Sequence, residues 1–348
     1  STDGITENGM LGKHNNFHQG FSEYHEPYLL EMDTGPNLAL WELRKYLNSF
    51  SQKKPFFIFI NLIEPHNPYN SSRQFKDCFI SNDSISIVSN QWEDFILGRR
   101  NLTPEEIEHL AALYDGEIRY VDYVVGEIVN FLNRERLADS TILIITSDHG
   151  ENFGEHTLVD HIFSLHESVI KIPLIIQYPK LFAPGFIYKK PVQLVDIFPT
   201  ILQILNIDPV KYPCQGKSLL GDGISDSRNI FCEWYYPEHV ISSLKKENRD
   251  DPALDQYKRS LRAIISNGMK LILASDGKNE LYDLKNDPGE NINLVNDSKY
   301  SRLIQRLADK ITEYESKFRP RKPLAIPPST QKLNKRAEKH LRSLGYLP

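Results

Sequence analysis

TILIITSDHGENFGE, residues 141–155, places an acidic residue and a histidine directly after a run of apolar and β-branched residues. The run Thr141–Ile145 predicts a strand covered on both faces, and sheets of such strands bind ligands at the strands' carboxyl ends. Asp148 and His149 stand at that end, and Gly150 allows the chain to turn sharply behind them. Because carboxylates and neutral imidazoles are both ligands of divalent cations, this stretch predicts a metal site.

A second interpretation of the same residues stays open. Asp148 can instead cap the turn or helix that follows, which would leave His149 as a solvated loop residue. An Asp-His pair followed by glycine is too short a motif to decide between the two roles. Adjacent side chains normally diverge, so a shared ion requires a turn that brings both to one side.

Length and composition indicate a folded protein with an ordinary surface. The chain has 348 residues, of which 40% are hydrophobic, enough for a substantial core in one large domain or two unequal ones. A formal charge of -5 and a pI near 6.1 give no electrostatic reason to expect nucleic acid or an anionic membrane as a partner. No apolar run approaches the roughly 20 residues that span a bilayer. The sequence has three widely spaced cysteines, Cys78, Cys214 and Cys232. This small number and wide spacing disfavour a disulfide framework or a thiolate metal cluster.

Strand and helix signals alternate through most of the chain, which predicts an α/β fold, a layered sheet with helices on both faces. Phe56–Leu62 and Ile172–Gln177 have the composition of strands, and Asp196–Leu205 that of a helix. The residues 103–106, Thr-Pro-Glu-Glu, form a helix start with a capping box. Apolar residues then recur at three- and four-residue spacing as far as Leu132, so one face of a long helix packs on the sheet.

The pattern changes near Asn229, where short β-like runs alternate with Asn-Gly, Asp-Gly and Asp-Pro-Gly turns. We therefore predict an α/β core at residues 1–228 and a smaller C-terminal α+β subdomain at residues 229–348. A helix over Lys299–Phe318 follows the sheet, and the basic stretch Lys332–Leu344 predicts a docking helix. The predicted antiparallel strands are Leu261–Ser266, Lys270–Ala274 and Glu280–Leu284.

His66 is the second chemical candidate. It follows the first apolar strand in the segment Glu64-Pro65-His66-Asn67-Pro68, at the same end of the sheet as Asp148 if the two strands are parallel. An imidazole, with a pKa of ~6.5, can protonate a leaving oxygen or hydrogen-bond an anionic oxygen. The alternative is a histidine in a loop with two turn-forming prolines, and these residues leave both open.

Residues 155–167, EHTLVDHIFSLHE, supply three more histidines, of which one is expected to face the site. Their five-residue spacing does not place all three on one face of a helix, and no H-E-x-x-H motif occurs. A three-histidine zinc site is therefore not favoured. The three are His156, His161 and His166.

A series of segments, taken in order along nearly the whole chain, resembles the sulfatases of the alkaline phosphatase superfamily. Several of these segments are loose matches by themselves, but their order is specific. The segments are HQGFSEY (18–24), PFFIFINLIEPHNPY (55–69), YDGEIRYVDYVVGEI (114–128), TSDHGENFGEH (146–156), LHESVIKIPLII (165–176), VQLVDIFPTIL (192–202), QGKSLL (215–220), KLILASDGKNELYDLKNDPGENINL (270–294) and LRSLGY (341–346).

This resemblance implies an alkaline-phosphatase-like fold and a sulfuric ester hydrolase that acts on a small-molecule or carbohydrate sulfate ester. Asp148 and His149 match family metal ligands, with Ca²⁺ as the expected ion and Mg²⁺, Mn²⁺ or Zn²⁺ as alternatives. His66 matches the histidine that contacts the ester and its leaving oxygen. His161 falls where the family has a lysine or histidine that contacts the substrate anion.

The formylglycine signature of sulfatases, C-x-P-x-R or S-x-P-x-R, does not occur in the sequence, nor do the two aspartates that precede it in the family. Because the match begins almost at residue 1, we expect the chain to lack the family's N-terminal portion and to be inactive by itself. Two alternatives remain. One is a phosphonate monoester hydrolase or phosphodiesterase of the same superfamily, and the other is a non-catalytic sulfatase-like protein that binds a polyanion or a partner. Compartment and oligomeric state are left open.

Overall fold

A computed structural model describes the chain in a series of segments: residues 1–29, 38–49, 55–80, 91–208, 211–221, 224–225, 227–236, 238, 241, 251–318 and 333–343. In these segments the strands are β1 (Thr2–Thr6), β2 (Glu23–His25), β3 (Phe57–Asn61), β4 (Leu143–Thr146), β5 (Asn152–Phe153), β6 (Val159–Asp160), β7 (Leu174–Gln177), β8 (Ile230–Trp234), β9 (Leu261–Ser266), β10 (Met269–Ala274) and β11 (Glu280–Asp283). The α-helices are α1 (Leu38–Ser49), α2 (Arg73–Lys76), α3 (Gln91–Ile96), α4 (Pro104–Arg134), α5 (Glu167–Ile170), α6 (Ile197–Ile204), α7 (Ser301–Phe318) and α8 (Lys335–Ser343).

The described residues divide into two compact units. The first contains those among Ser1–Thr141, Ser242–Asp251 and Leu324–Pro348, and the second those among Ile142–Ile241 and Pro252–Pro323. The predicted domain boundary between residues 228 and 229 stays a prediction, because compactness does not test which segments fold by themselves. None of the described helices combines the length and hydrophobicity needed to cross a membrane.

The first unit is built on a parallel sheet with the strand order β2-β1-β3. Ile5 of β1 packs in a core with Leu43 of α1 and with Tyr120 and Val124 of α4, so one face of the long helix packs on the sheet as predicted. The predicted set of apolar residues is wrong in part, because it includes Ile118, which is 45% exposed, and leaves out Tyr120 and Val124, which are buried. That helix begins as predicted, since Thr103 accepts a hydrogen bond from the backbone N–H of Glu106, whose side chain accepts one from the backbone of Thr103. The N-terminal groups of α4 are thereby satisfied locally.

Helix α8 docks on the first unit. Leu341 is 2% exposed, and a Cβ placed at Gly9 would lie 2.8 Å from its side chain. The ring of His340 stacks on Tyr28 at a centroid distance of 4.7 Å. The predicted docking helix is therefore present over Lys335–Ser343, and the last five residues of the chain lie outside the described part.

The second unit contains the predicted antiparallel sheet, in the order β11-β10-β9-β8. Leu307 and Ile311 of α7 pack against the buried residues Ile264, Leu271 and Leu281 of this sheet. The structure thus confirms an α/β protein with a small antiparallel sheet and a packed helix, as the sequence predicts.

Strand β4 differs from its prediction. It pairs with β7 in antiparallel register, Ile144 opposite Ile176, and its side chains are partly exposed. The expectation of a strand covered on both faces is therefore wrong for the described residues. The antiparallel pairing has a physical reason. The chain between these strands forms a short hairpin and one helical turn, and it lacks the long crossover that a parallel pair requires.

Candidate metal and catalytic site

Asp148 and His149 follow β4 and have ligand atoms on the same side of the turn. Asp148 Oδ1 lies 3.7 Å from His149 Nε2, and the aspartate side chain is 82% exposed. His149 Nδ1 lies 2.8 Å from the carbonyl oxygen of Gly150, so Nδ1–H donates to that carbonyl and Nε2 carries the lone pair. A histidine that binds a metal usually makes such a second hydrogen bond. At Ca²⁺–ligand distances of about 2.3–2.6 Å, both atoms can reach one ion, so these residues fit a divalent cation.

The protonation state of His149 suits the same role. Burial lowers the pKa of His149, and the neighbouring His161 lowers it further. The neutral imidazole is the form that binds a metal. The carboxylate of Asp148 acts in the opposite direction but does not reverse the shift.

Gly150 is required by a close approach of two backbone segments. Its N–H donates to the carbonyl of Val169 at 2.7 Å, and the N–H of Glu151 donates to that of Ser168 at 3.0 Å. A Cβ at position 150 would lie 2.1 Å from the carbonyl oxygen of Ser168. This contact, and not a left-handed backbone conformation, explains the glycine. The turn that presents Asp148 is therefore anchored on the segment around α5.

A second group of possible ligands lies beside His149. One ligand atom each from Glu151, Asp160 and His161 lies within 4.8 Å of the others. Register in the β5–β6 hairpin produces this group, because Asn152 pairs with Asp160 and so brings the neighbours of both together. Glu151 and Asp160 are absent from the predictions because no spacing motif links residues on opposite strands of a short hairpin.

His161 connects the two sets of ligands. Its ring stacks on that of His149 at a centroid distance of 3.9 Å. Burial lowers the pKa of His161, but hydrogen bonds and charge interactions with Asp160 and Glu151 outweigh this and raise it to about 10. At neutral pH the ring of His161 is therefore an imidazolium, with Nδ1 2.6 Å from Asp160 Oδ1 and 3.7 Å from Glu151 Oε2.

The raised pKa makes stability depend on pH. With a folded-state pKa of about 10 against an ordinary value of 6.5, protonated His161 stabilises the fold fully below pH 6.5, and this contribution is lost as the pH rises toward 10. We expect the Tm of the metal-free protein to fall over that interval, and to fall less in the His161→Gln protein. Thermal unfolding in chelator-containing buffers at a series of pH values measures the slope of Tm against pH for both proteins. The His156→Gln protein is the control, and equal slopes in all three proteins would contradict the ion pair.

His156 and His166 form a separate pair. Their rings stack at a centroid distance of 3.7 Å, and His166 Nε2 lies 3.0 Å from Glu280. The hydroxyl of Tyr282 donates to the same carboxylate at 2.7 Å. These contacts connect the loop after β6 to the antiparallel sheet, so His156 and His166 are part of the scaffold.

His66 lies in the loop after β3, in the first unit. The backbone N–H of His66 donates to the carbonyl of Ile63 at 2.9 Å. The ring atom Nδ1 lies 2.5 Å from the carbonyl oxygen of Asn67. Nδ1–H is therefore a donor, and Nε2 becomes a second donor on protonation. The structure brings Asp148, His149 and His161 together in the second unit. The predicted proximity of His66 to them stays a prediction.

The comparisons with known proteins identify the family. A family model described as Sulfatase matches residues 13–207 of the chain. The chain belongs to the sulfatase family. A second model, described as N-sulphoglucosamine sulphohydrolase, C-terminal, matches residues 154–317 of this sulfatase. Sulfatases generally use a divalent metal, and the group Glu151, Asp160 and His161 can hold one.

Three relatives illustrate the similarity. The sulfatase chain is 25% identical to the uncharacterized sulfatase YidJ of Escherichia coli (strain K12), over 76% of this chain and 52% of that protein. It is 27% identical to the multifunctional alkaline phosphatase superfamily protein PehA of Trinickia caryophylli, over 74% and 55% of the two chains. It is 29% identical to arylsulfatase K of Homo sapiens, over 73% and 50%. The chain thus spans about half the length of the curated relatives it matches.

Solved structures agree on the fold. The phosphonate monoester hydrolase of Agrobacterium radiobacter superposes with a TM-score of 0.63 at 21% identity, over 80% of this chain and 60% of that one. The structure of BT4656 in complex with its substrate D-glucosamine-2-N,6-O-disulfate gives a TM-score of 0.67 at 18% identity, over 95% and 81%. The predicted alkaline-phosphatase-like fold is therefore confirmed.

Proposed function

We propose that the complete protein hydrolyses sulfuric esters and that its substrate is a small-molecule or carbohydrate sulfate ester. The observation that carries this proposal is the pair Asp148–His149, a carboxylate and a neutral imidazole with ligand atoms 3.7 Å apart in a sulfatase chain. Relatives named as sulfatases and arylsulfatases support the reaction. A carbohydrate substrate is supported by the fold that the chain shares with a protein bound to a disulfated glucosamine.

The ion that we propose is Ca²⁺, with Asp148 and His149 among its ligands. Carboxylate oxygens favour Ca²⁺, whereas the imidazole also accepts Mn²⁺ and Zn²⁺. When bound, the cation would neutralise negative charge on the sulfuryl group. His161, oriented by Asp160 and Glu151, would hold a sulfuryl oxygen by a charge-assisted hydrogen bond.

His66 would act on the departing group. With Nδ1–H engaged by the carbonyl of Asn67, protonated Nε2 is the atom that can donate to the leaving oxygen. When the bond between sulfur and the ester oxygen breaks, the electron pair stays on that oxygen, and an unprotonated alkoxide is a poor leaving group. The proton from His66 therefore matters most for alkyl and sugar esters.

Phosphonate monoester hydrolysis is the competing reaction, because the phosphonate monoester hydrolase of Agrobacterium radiobacter shares the fold of this chain. Protein expressed from the complete reading frame should be assayed with aryl sulfate, aryl phosphonate and aryl phosphodiester substrates. The proposal requires the aryl sulfate to have the highest kcat/KM. A higher value for the phosphonate or phosphodiester would assign the other reaction, and no turnover of any of them would favour a binding protein.

Metal binding can be tested on the chain itself. The Asp148→Asn protein should bind divalent ions at least about 10-fold more weakly, because even loss of a supporting contact to a ligand weakens binding by about 10- to 100-fold. Calorimetric titration with Ca²⁺, Mg²⁺, Mn²⁺ and Zn²⁺ measures this and ranks the ions. Asp139→Asn, at an exposed position just before β4, is the control.

The same titration separates the two sets of ligands. If Glu151→Gln removes binding and Asp148→Asn does not, the ion is held by the group of Glu151, Asp160 and His161 instead. In that case the proposed role of the Asp148–His149 pair would be wrong.

A further inference from the structure

The loop that carries His66 is held at its far end by a buried carboxylate. Glu117 of α4 is 2% exposed, and it accepts a hydrogen bond from the backbone N–H of Ser71. The backbone of Asn70 also donates to it. A side chain from the middle of a long helix thus satisfies two successive N–H groups of the loop.

The helix and the loop approach each other too closely for a side chain to intervene. A Cβ at Gly116, next to Glu117, would lie 2.8 Å from Cβ of Lys76 and 2.9 Å from Oγ of Ser71. The glycine therefore permits the contact that brings Glu117 to the loop. Burial raises the pKa of Glu117 to about 7, and the N–H groups of Ser71 and Asn70 act in the opposite direction.

The near end of the loop is held in a similar way. The N–H of Ile63 lies 3.4 Å from Oε2 of Glu7, and the carboxyl group of Glu64 hydrogen-bonds to the same side chain. Tyr120 is 1% exposed, and its pKa is raised first by burial and further by the charges of Glu64, Glu7 and Glu117. Both ends of the segment that contains His66 are thereby attached to buried acidic residues.

Between these attachments the backbone has little freedom. Pro65 and Pro68 flank His66 and fix two φ angles of the loop. Tyr69 packs edge-on against Tyr114 of α4 at a centroid distance of 5.6 Å. The loop that contains His66 is therefore held at both ends, and two prolines restrict its backbone between them.

We propose that Glu117 is a positioning residue for His66, and that it acts by holding the backbone of Asn70 and Ser71 against α4. The importance of this position for catalysis rests on the proposed function, whereas the coupling of Glu117 to His66 does not. Glutamine replaces the carboxylate only in part, because it keeps one acceptor oxygen but has an NH₂ donor in place of the second oxygen and carries no charge.

The coupling can be measured without activity. In protein with ¹³C-labelled histidines at pH 8, the Glu117→Gln substitution should shift or broaden the imidazole signals of His66 and leave those of His109, on the same helix, unchanged. Asp122→Asn, which removes an exposed carboxylate from α4, should change neither. If Glu117→Gln does not fold, Glu117→Asp draws the carboxylate back by one methylene and should move the same signals. Unchanged His66 signals in a folded Glu117 variant would overturn the proposal.

A double-mutant cycle of Glu117→Gln and His66→Ala in the complete protein then tests whether this coupling matters for catalysis. Glu117→Gln should lower kcat for an alkyl sulfate by about 10- to 100-fold, the effect of a small displacement of a catalytic group, and should change KM less. In the His66→Ala background the same substitution should cost less than about 2-fold, because the group that it positions is absent. Equal losses in both backgrounds would indicate a general structural role and contradict the proposal. If the protein hydrolyses no ester, the proposed function fails while the NMR result still decides the coupling.

Discussion

Replacing His66 with alanine should slow the hydrolysis of alkyl sulfates by about 10²- to 10⁴-fold, the usual contribution of a general acid. The reason is the arrangement of the ring, in which Nδ1–H is engaged by the carbonyl of Asn67 and protonated Nε2 can donate to the leaving oxygen. Esters of acidic phenols leave without a proton and should lose far less. A series of sulfate esters with leaving groups of increasing pKa, assayed in the complete protein, measures the difference as a steeper dependence of kcat on leaving-group pKa.

The control for this series is His109→Ala, which removes a histidine of the same unit outside the loop after β3. It should leave the dependence on the leaving group unchanged. Equal losses for phenyl and alkyl esters in the His66→Ala protein would reject the acid role and indicate that His66 contacts the sulfuryl group instead.

Replacing Lys270 with methionine should produce the largest loss of stability. Lys270 is fully buried in the second unit, with its Nζ 2.8 Å from Glu290 and 3.3 Å from Glu167, and Glu290 is buried as well. Methionine keeps most of the volume but leaves the carboxylate of Glu290 without its cation. Breaking a buried ion pair from one side costs about 3–5 kcal/mol. Urea unfolding, followed by the fluorescence of Trp234 and the other tryptophans, measures the change.

Two further proteins make this result interpretable. Lys299→Met removes an exposed lysine that lies 2.9 Å from Asp297, and an exposed pair contributes only about 0–1 kcal/mol. The double substitution Lys270→Met with Glu290→Gln removes both charges and should recover part of the loss. A loss below about 1 kcal/mol for Lys270→Met alone would show that the buried pair does not stabilise the fold.

Much of the secondary structure could be predicted because its causes are local. The capping box of Thr103 and Glu106 joins residues three apart, and the long helix that it begins was predicted from the helical period. The strand Leu261–Ser266 has the predicted bounds, since a turn signal ends it. The order of the family segments also identified a sulfatase, which the family model confirms.

The sequence by itself therefore determined the α/β class, the family and the position of Asp148 and His149 at the end of a strand. The tertiary structure alone decided that β4 pairs antiparallel with β7, that Glu151 and Asp160 surround His161, and that Glu117 holds the backbone of Ser71. The reason is physical: periodicity and capping act over a few residues, whereas these contacts join segments that are distant in sequence or lie on opposite strands. Which of these meet depends on the packing of the whole unit, and no spacing along the chain records it.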